Sequence, residues 1–112
     1  MANYVYMVLA RPKPGREEDW LAWHRDRHSH DVLSIPGVKK CHRFEAAENA
    51  ANADANWKYM VLYEFETDDV DAIFAEIGKR YGTDSMPGTD ASDPAKGASE
   101  TWVLLSTQEA PE

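Results

Sequence analysis

Three stretches of the chain are apolar at almost every position, which is typical of strands rather than of amphipathic helices. They are residues 3–10 (NYVYMVLA), 57–65 (WKYMVLYEF) and 100–107 (ETWVLLST), and they are rich in β-branched and aromatic residues. A fourth stretch, 38–45 (VKKCHRFE), alternates more weakly and is predicted as a further strand. In the first three stretches both alternating sets of side chains are apolar, so both faces of the sheet need cover.

Two other stretches have apolar residues at helical spacing. The first helix is predicted over 16–34, because acidic residues favour its start and the residue before Pro36 is pushed out of the helical region. The second helix follows the N-cap signal at 67–69 and ends near 78–82. Its predicted buried stripe is conventional and consists of Val70, Ile73, Phe74 and Ile77.

The order of these elements is β-α-β-β-α-β. It predicts an α+β, ferredoxin-like fold with a four-stranded antiparallel sheet and both helices on one face. Because the other face is also apolar, we expect the sheet of a second copy to cover it, which gives a homodimer. Residues 1–112 are expected to form a single domain with a frayed tail over 108–112. The long loop over 81–99 holds glycines and prolines and is a candidate lid.

The first helix carries polar chemistry on the face that is predicted to contact the sheet. Six residues of this face are one or three positions apart, which places them on one helical stripe: Trp20, Trp23, His24, Arg27, His28 and Asp31. Such a stripe is unusual in a core, because each buried polar group costs free energy unless it is paired. It either faces solvent or lines a wet pocket. Because the strands are apolar on both faces, they can build a core without this stripe. The interpretation that the stripe lines a pocket is therefore favoured.

Composition and charge narrow the class of function. A chain of 112 residues with 43% hydrophobic and 29% charged residues is typical of a globular domain. A net charge of −8 disfavours nucleic acid and anionic membranes as partners. Cys41 is the only cysteine, so no internal disulfide can form. Neither a secretory signal pattern nor an apolar run of membrane-spanning length is seen, so we expect a cytoplasmic protein.

The stretch around the first helix resembles a family pattern. It reads Trp23-His24-x3-His28-x2-Asp31-x-Leu33-x-Ile35-Pro36-Gly37, with Arg43-Phe44 after it. This is similar to the pattern Trp-Tyr/His-x3-His-x2-Glu/Asp-x-Leu-x-Ile-Pro-Gly of EthD-like proteins in the dimeric α+β barrel superfamily. The resemblance implies a pocket between the sheet and the first helix, lined by the histidine that His28 matches. The family includes proteins assigned as dehydratases, isomerases, cyclases and cofactor-free monooxygenases. His24 departs from the tyrosine, and Arg27 from the glutamate, that are more frequent there.

The candidate catalytic residues are His28, Asp31 and His24. A carboxylate three residues from an imidazole can hold it as a general base, and His24, one turn earlier, is the candidate acid. A surface contact between His28 and Asp31 is the structural alternative. The same residues have metal-ligand spacing, but Arg27 would repel a cation, so we expect no metal.

The candidate substrate-binding residues are aromatic rings that suit a flat compound and guanidinium groups that suit a carboxylate or enolate: Trp23, Arg27, Arg43, Tyr6, Tyr59 and Trp102. We expect an enzyme without a cofactor that performs acid–base chemistry, as a lyase or dehydratase, an isomerase or a cyclase, on a small aromatic or cyclic carbonyl compound. A cofactor-free monooxygenase and a non-catalytic, dimeric ligand-binding protein are the alternatives.

Overall fold

The computed structural model describes residues 1–49, 57–92 and 97–111. Its elements in chain order are β1 (Ala2–Ala10), α1 (Glu17–Trp23), a π-helical turn (His24–His28), α2 (Ser29–Leu33), β2 (Val38–Glu45), β3 (Tyr59–Thr67), α3 (Val70–Arg80) and β4 (Ala98–Val103). The first helix consists of α1, the π-helical turn and α2 without a break, and α3 is the second helix. The predicted β-α-β-β-α-β order is confirmed. Relative to the prediction, β3 lies two residues later in the chain, whereas β4 begins two residues earlier and ends four residues earlier.

The four strands form one antiparallel sheet in the order β2-β3-β1-β4. This is the predicted ferredoxin-like arrangement. The central strand β3 turns every second residue towards the helices, and these four are buried: Tyr59, Val61, Tyr63 and Phe65. They form the core together with Trp20 and Val32 of the first helix and Ile73 of the second. Both helices therefore cover the same face of the sheet.

A bulge near the start of β2 decides which of its side chains face the helices. The register with β3 shifts between Val38 and Lys40. A one-residue shift moves the later side chains to the opposite face. Val38 and, beyond the bulge, Cys41 and Arg43 consequently face the helices, while His42 lies on the open face and pairs with a glutamate of β3.

The second helix is regular and begins where the sequence predicts. The carboxylate of Asp69 accepts a hydrogen bond from the backbone N–H of Ala72, which is the geometry of an N-cap. Ile73 is buried and packs on the turn at Gly37, where a Cβ atom would lie 3.0 Å from its Cδ1. Gly37 also has φ +97°, so both backbone conformation and space require glycine there. Across the described ranges, no helix is long and apolar enough to cross a membrane.

The second face of the sheet is open in a single chain. Side chains on it include Val5, Met7 and Leu62, which belong to the two central strands. Towards the edges, Phe44 and Trp102 are 47% and 55% exposed. The exposed apolar surface continues beyond β4 through Leu104 and Leu105. Charged side chains, such as Glu64 beside Val5 and Glu100 beside Met7, interrupt this face. Exposed apolar patches of this kind are characteristic of an interaction surface.

Candidate functional site

The π-helical turn sets the direction of the side chains that follow it on the first helix relative to those that precede it. In a regular α-helix each four-residue step overshoots one turn by about 40°, so residues 20, 24, 28 and 32 would spread over about 120°. A π-helical turn accommodates one extra residue and sets the later ones back by about 100°. Trp20, His24, His28 and Val32 therefore form one inner stripe, and all four line the same cavity.

The same rotation moves Arg27 and Asp31 off the inner stripe. Arg27 Nε donates to Asp31 Oδ2 at 2.8 Å, and Arg27 Nη2 donates to the backbone oxygen of Asp84 at 2.6 Å. The part of the chain that the structure describes contains no hydrogen bond between His28 and Asp31. The expected contact between His28 and Asp31 is therefore not found, because the carboxylate of Asp31 turns to Arg27 instead.

A cavity of about 250 Å³ lies between the first helix and the sheet. An engineered cavity of about 150 Å³ binds benzene, so this one has room for a somewhat larger ring compound. Its walls are mainly aromatic and aliphatic, with two imidazoles and several hydroxyl groups among them. The aromatic and imidazole residues of the wall are Tyr6, Trp20, Trp23, His24, His28, Tyr63 and Tyr81.

The cavity brings together some of the predicted site residues and leaves others outside. Tyr6, Trp23, His24 and His28 line it. Tyr59 lies behind the wall, stacked on Trp20 with 5.2 Å between ring centroids. Besides Tyr59, the described lining excludes four more of the predicted residues, Arg27, Asp31, Arg43 and Trp102. Arg43 contacts Ser29 Oγ at 3.3 Å beneath the first helix, and Trp102 lies on the open face of the sheet.

His24 is a buried, neutral imidazole. It is 3% exposed, stacks on Trp20 and places Nε2 3.1 Å from the hydroxyl oxygen of Tyr63. Burial, with smaller contributions from His28 and the charge of Arg43, lowers the pKa of His24 to about 3. A neutral imidazole at ordinary pH does not supply a proton as an imidazolium would. His24 is therefore limited to hydrogen bonding and does not fit the predicted role of general acid.

His28 is held by aromatic rings rather than by a carboxylate. Its ring stacks on Trp23 with 4.6 Å between centroids and meets the edge of Tyr81 at 5.7 Å. Trp23 and His28 are five residues apart, and the π-helical turn brings them together. Burial lowers the pKa of His28, and the nearby charge of Asp31 partly offsets this. The imidazole is consequently in the neutral form that can accept a proton.

Tyr63 belongs to the site, although no catalytic or binding role was predicted for it. It is 2% exposed, lines the cavity and is in hydrogen-bonding contact with His24. Burial and the adjacent Cys41 raise its pKa well above the ordinary value, so the phenol stays protonated. The signal was present in the sequence, because Tyr63 shares the buried face of β3 with Tyr59 and a buried tyrosine hydroxyl needs a partner.

Residues 81–92 cover one side of the cavity, and we call them the covering segment. Trp23 Nε1 donates to the backbone oxygen of Pro87 at 3.0 Å, and Arg16 Nη2 donates to Asp90 Oδ1 at 2.8 Å. Met86 and Ala91 of this segment are fully buried. The predicted lid over 81–99 is thus tied to the first helix over 81–92, and residues 93–96 lie outside the described ranges.

Two ring nitrogens at this site are unusual. The Nδ1 atoms of His24 and His28 are both buried, and neither finds a hydrogen-bond partner among the described residues. The described residues also contain no group of three or more His, Cys, Asp or Glu placed to hold a metal ion. The polar groups that line this aromatic cavity include two neutral imidazoles and the phenol groups of three tyrosines, Tyr6, Tyr63 and Tyr81.

Neither a family model nor a curated protein matches this chain, whereas several solved structures do. A candidate monooxygenase of Shewanella loihica has a TM-score of 0.67 at 9% identity, over 96% of this chain and 99% of that one. A dimeric ferredoxin-like protein of unknown function from Thermobifida fusca has a TM-score of 0.56 at 14% identity, over 92% of each chain. An ethyl tert-butyl ether D (EthD) family protein of Bacillus halodurans has a TM-score of 0.53 at 11% identity, over 96% of this chain and 100% of that one. The chain therefore has an EthD-like, ferredoxin-like fold.

Proposed function

We propose that this chain is a small enzyme that performs acid–base chemistry, without a cofactor, on a compact aromatic or cyclic carbonyl compound. The observation that carries the proposal is the neutral imidazole of His28 on the wall of an aromatic cavity of about 250 Å³. A base, a hydrogen-bond donor and an apolar enclosure are what proton abstraction next to a carbonyl requires.

In the proposed reaction His28 removes a proton from the carbon beside the carbonyl group. The electron pair of the broken C–H bond moves towards the carbonyl oxygen, and the compound becomes an enolate with negative charge on that oxygen. In an isomerisation the proton then returns at another carbon. In a lyase or dehydratase step the electron pair moves back from the oxygen and expels a group from the neighbouring carbon, and this group leaves with the proton that His28 took up. Burial disfavours the imidazolium form of His28, but the enolate that forms beside it attracts that charge in a medium of low dielectric constant.

The proposal includes a homodimer in which the open sheet faces of two copies pack together. The exposed apolar side chains of that face, among them Phe44 and Trp102, support it. The neighbour from Thermobifida fusca is described as dimeric and has the same fold.

Hydrogen–deuterium exchange tests the proposal without knowledge of the natural substrate. A panel of cyclic and aryl ketones is incubated with the protein in D₂O, and loss of the proton next to the carbonyl is followed by NMR. We expect enhanced exchange for at least one ring compound, and we expect His28→Ala to reduce it by about 10²- to 10⁴-fold. His30→Ala is the matched control, because His30 is exposed on the same helix.

Light scattering shows whether the variants keep the mass of two chains, so that a lost dimer is not mistaken for a lost base. If no compound exchanges faster with the protein, or if His28→Ala exchanges as fast as the wild type, the proposed function is wrong.

A cofactor-free monooxygenase is the second candidate, and the Shewanella loihica neighbour supports it. In that reaction the carbanion reacts with oxygen directly, so product formation stops in an anaerobic assay. The lyase and isomerase reactions proceed unchanged without oxygen. Product analysis under both atmospheres therefore separates the two candidates.

A further inference from the structure

Tyr63 places a hydroxyl group in the interior, beside the cavity. It lies in the middle of β3 with its ring between Tyr6 and Phe65, at 6.1 Å and 6.5 Å from their centroids. Its oxygen is 3.1 Å from His24 Nε2. Either atom of this pair can donate, so the tautomer of His24 determines where the hydrogen of Tyr63 points.

The unpaired nitrogen of His24 favours one tautomer. His24 Nδ1 is buried without an acceptor among the described residues, and among backbone groups a buried donor without an acceptor is rarer than an under-satisfied acceptor. The proton therefore lies on Nε2, and His24 donates to the oxygen of Tyr63. The hydrogen of Tyr63 must then be donated elsewhere.

Two acceptors compete for that hydrogen. Cys41 lies opposite Tyr63 on β2, and the two side chains interact. A thiol sulfur is only a weak acceptor. The other direction is the cavity, which Tyr63 lines. An oxygen of a bound compound would be the stronger acceptor, and donation from His24 polarises the phenol and makes it a better donor.

We infer that the hydroxyl of Tyr63 donates a hydrogen bond to the oxygen of the bound compound, and that His24 positions this hydroxyl. The cavity then selects ring compounds that carry a carbonyl or phenol oxygen over hydrocarbons of the same shape. The inference rests on the proposed function, in which the same oxygen gains negative charge when His28 removes a proton. Tyr63 is in this reaction a catalytic residue, and His24 is a positioning residue.

The electrostatic surroundings keep Tyr63 in the donating form. Burial is the main cause of its raised pKa, and Cys41 and Tyr6 act in the same direction. The charge of Arg43 acts against them and would stabilise negative charge in this region. The phenol thus remains protonated while the cavity accepts a compound, and a positive charge lies close enough to assist when an oxyanion forms.

Phenol and toluene are the probes that test this inference, because they have nearly the same shape and differ in one hydroxyl group. Their binding to the dimeric protein is measured by NMR titration for the wild type and for Tyr63→Phe. We expect Tyr63→Phe to weaken phenol binding by about threefold to tenfold and to leave toluene binding unchanged. Tyr4→Phe is the control, since Tyr4 packs against the core outside the described cavity lining.

The tautomer of His24 is tested separately with ¹⁵N-labelled histidine. We expect its proton on Nε2 in the wild type, and we expect Tyr63→Phe, but not Tyr4→Phe, to shift the Nε2 resonance. His24→Phe should reduce the preference for phenol over toluene, whereas His24→Gln, which keeps an N–H donor, should restore part of it. A purely structural role of His24 would weaken the binding of both probes alike.

The inference is overturned if neither probe binds, if Tyr63→Phe weakens both equally, or if the proton of His24 lies on Nδ1. These results are independent of the exchange assay. If the protein binds phenol selectively but catalyses no exchange, only the proposed function is wrong. If Tyr63→Phe leaves the exchange intact and the wild type binds both probes equally well, only the role of Tyr63 is wrong.

Discussion

The two helices cover the same sheet in different ways. The second helix is regular, begins at the Asp69 cap and buries the aliphatic side chain of Ile73. The first helix is interrupted by a π-helical turn and buries His24, whose Nδ1 has no partner among the described residues. An unpaired buried polar atom costs about 1–3 kcal/mol. The comparison indicates that the second helix supports the stability of the fold, whereas the first gives up stability to shape a cavity.

The largest effect on stability should come from the second helix. Ile73→Ala removes a 3% exposed side chain from the core and is expected to lower the free energy of unfolding by about 2–5 kcal/mol. Urea unfolding at neutral pH measures this loss. The rate at which each folded molecule catalyses deuterium exchange of the ketone should stay at the wild-type value, because Ile73 does not line the described cavity.

Lys79→Ala is the matched control on the same helix, since Lys79 is exposed, and it should change stability by less than about 0.5 kcal/mol. If folded Ile73→Ala catalyses ketone exchange more slowly than the wild type, the second helix also contributes to the cavity, and the contrast between the two helices is wrong.

The difference between the helices also explains what the sequence could predict. The strands, the second helix and its cap at Asp69 follow from local patterns of apolar residues and from capping chemistry, so the fold could be predicted. The π-helical turn has no comparable signal in the sequence. Its residues, His24–His28, read as ordinary helix. Predictions that needed only the helix were confirmed, whereas the pattern did not determine which neighbour Asp31 contacts, and its partner is Arg27 instead of His28.

The surroundings of the side chains on the strands were the second feature that the sequence did not predict. Arg43 was expected in the pocket. The bulge in β2 does turn it to the face that the helices cover, but there it contacts Ser29 beneath the first helix, outside the described cavity lining. Trp102 was expected there too, but its register with Val5 places it on the open face of the sheet. Both outcomes depend on strand register, which single-sequence alternation does not determine.

The next largest effect should be a pH dependence that belongs to the first helix. The pKa of His24 is about 3 in the folded chain, against 6.5 for an unperturbed histidine, which is the value that applies to the unfolded chain. Below pH 6.5 the unfolded chain binds a proton that folded His24 does not, so stability is full above pH 6.5 and falls as the pH decreases towards 3. Between pH 7.5 and 5.5 the free energy of unfolding should fall by about 1.4 kcal/mol because of His24. The lowered pKa of His28 lowers the free energy of unfolding further over this interval.

Urea unfolding of the wild type and of His24→Gln at these two pH values isolates the contribution of His24. The variant should lose about 1.4 kcal/mol less than the wild type over this interval. His30→Gln, altered at an exposed position of the same helix, should keep the wild-type dependence. An unchanged dependence in His24→Gln would mean that His24 is not held neutral by burial.

The smallest effect should come from Asp31, which regular helical spacing would make the most important partner of His28. Asp31 pairs instead with Arg27, and their side chains are 19% and 46% exposed. Ion pairs that reach solvent in this way contribute about 1 kcal/mol or less. Asp31→Asn should therefore change stability by less than about 1 kcal/mol. The exchange rate should fall only slightly, because the charge of Asp31 is the minor influence on the pKa of His28. Where a carboxylate does hold a catalytic histidine, the same substitution costs about 10⁴-fold in rate. A loss of that size, measured in the deuterium exchange assay, would mean that Asp31 leaves Arg27 and holds His28 when a compound binds. A small loss would mean that aromatic stacking on Trp23 is what holds the base.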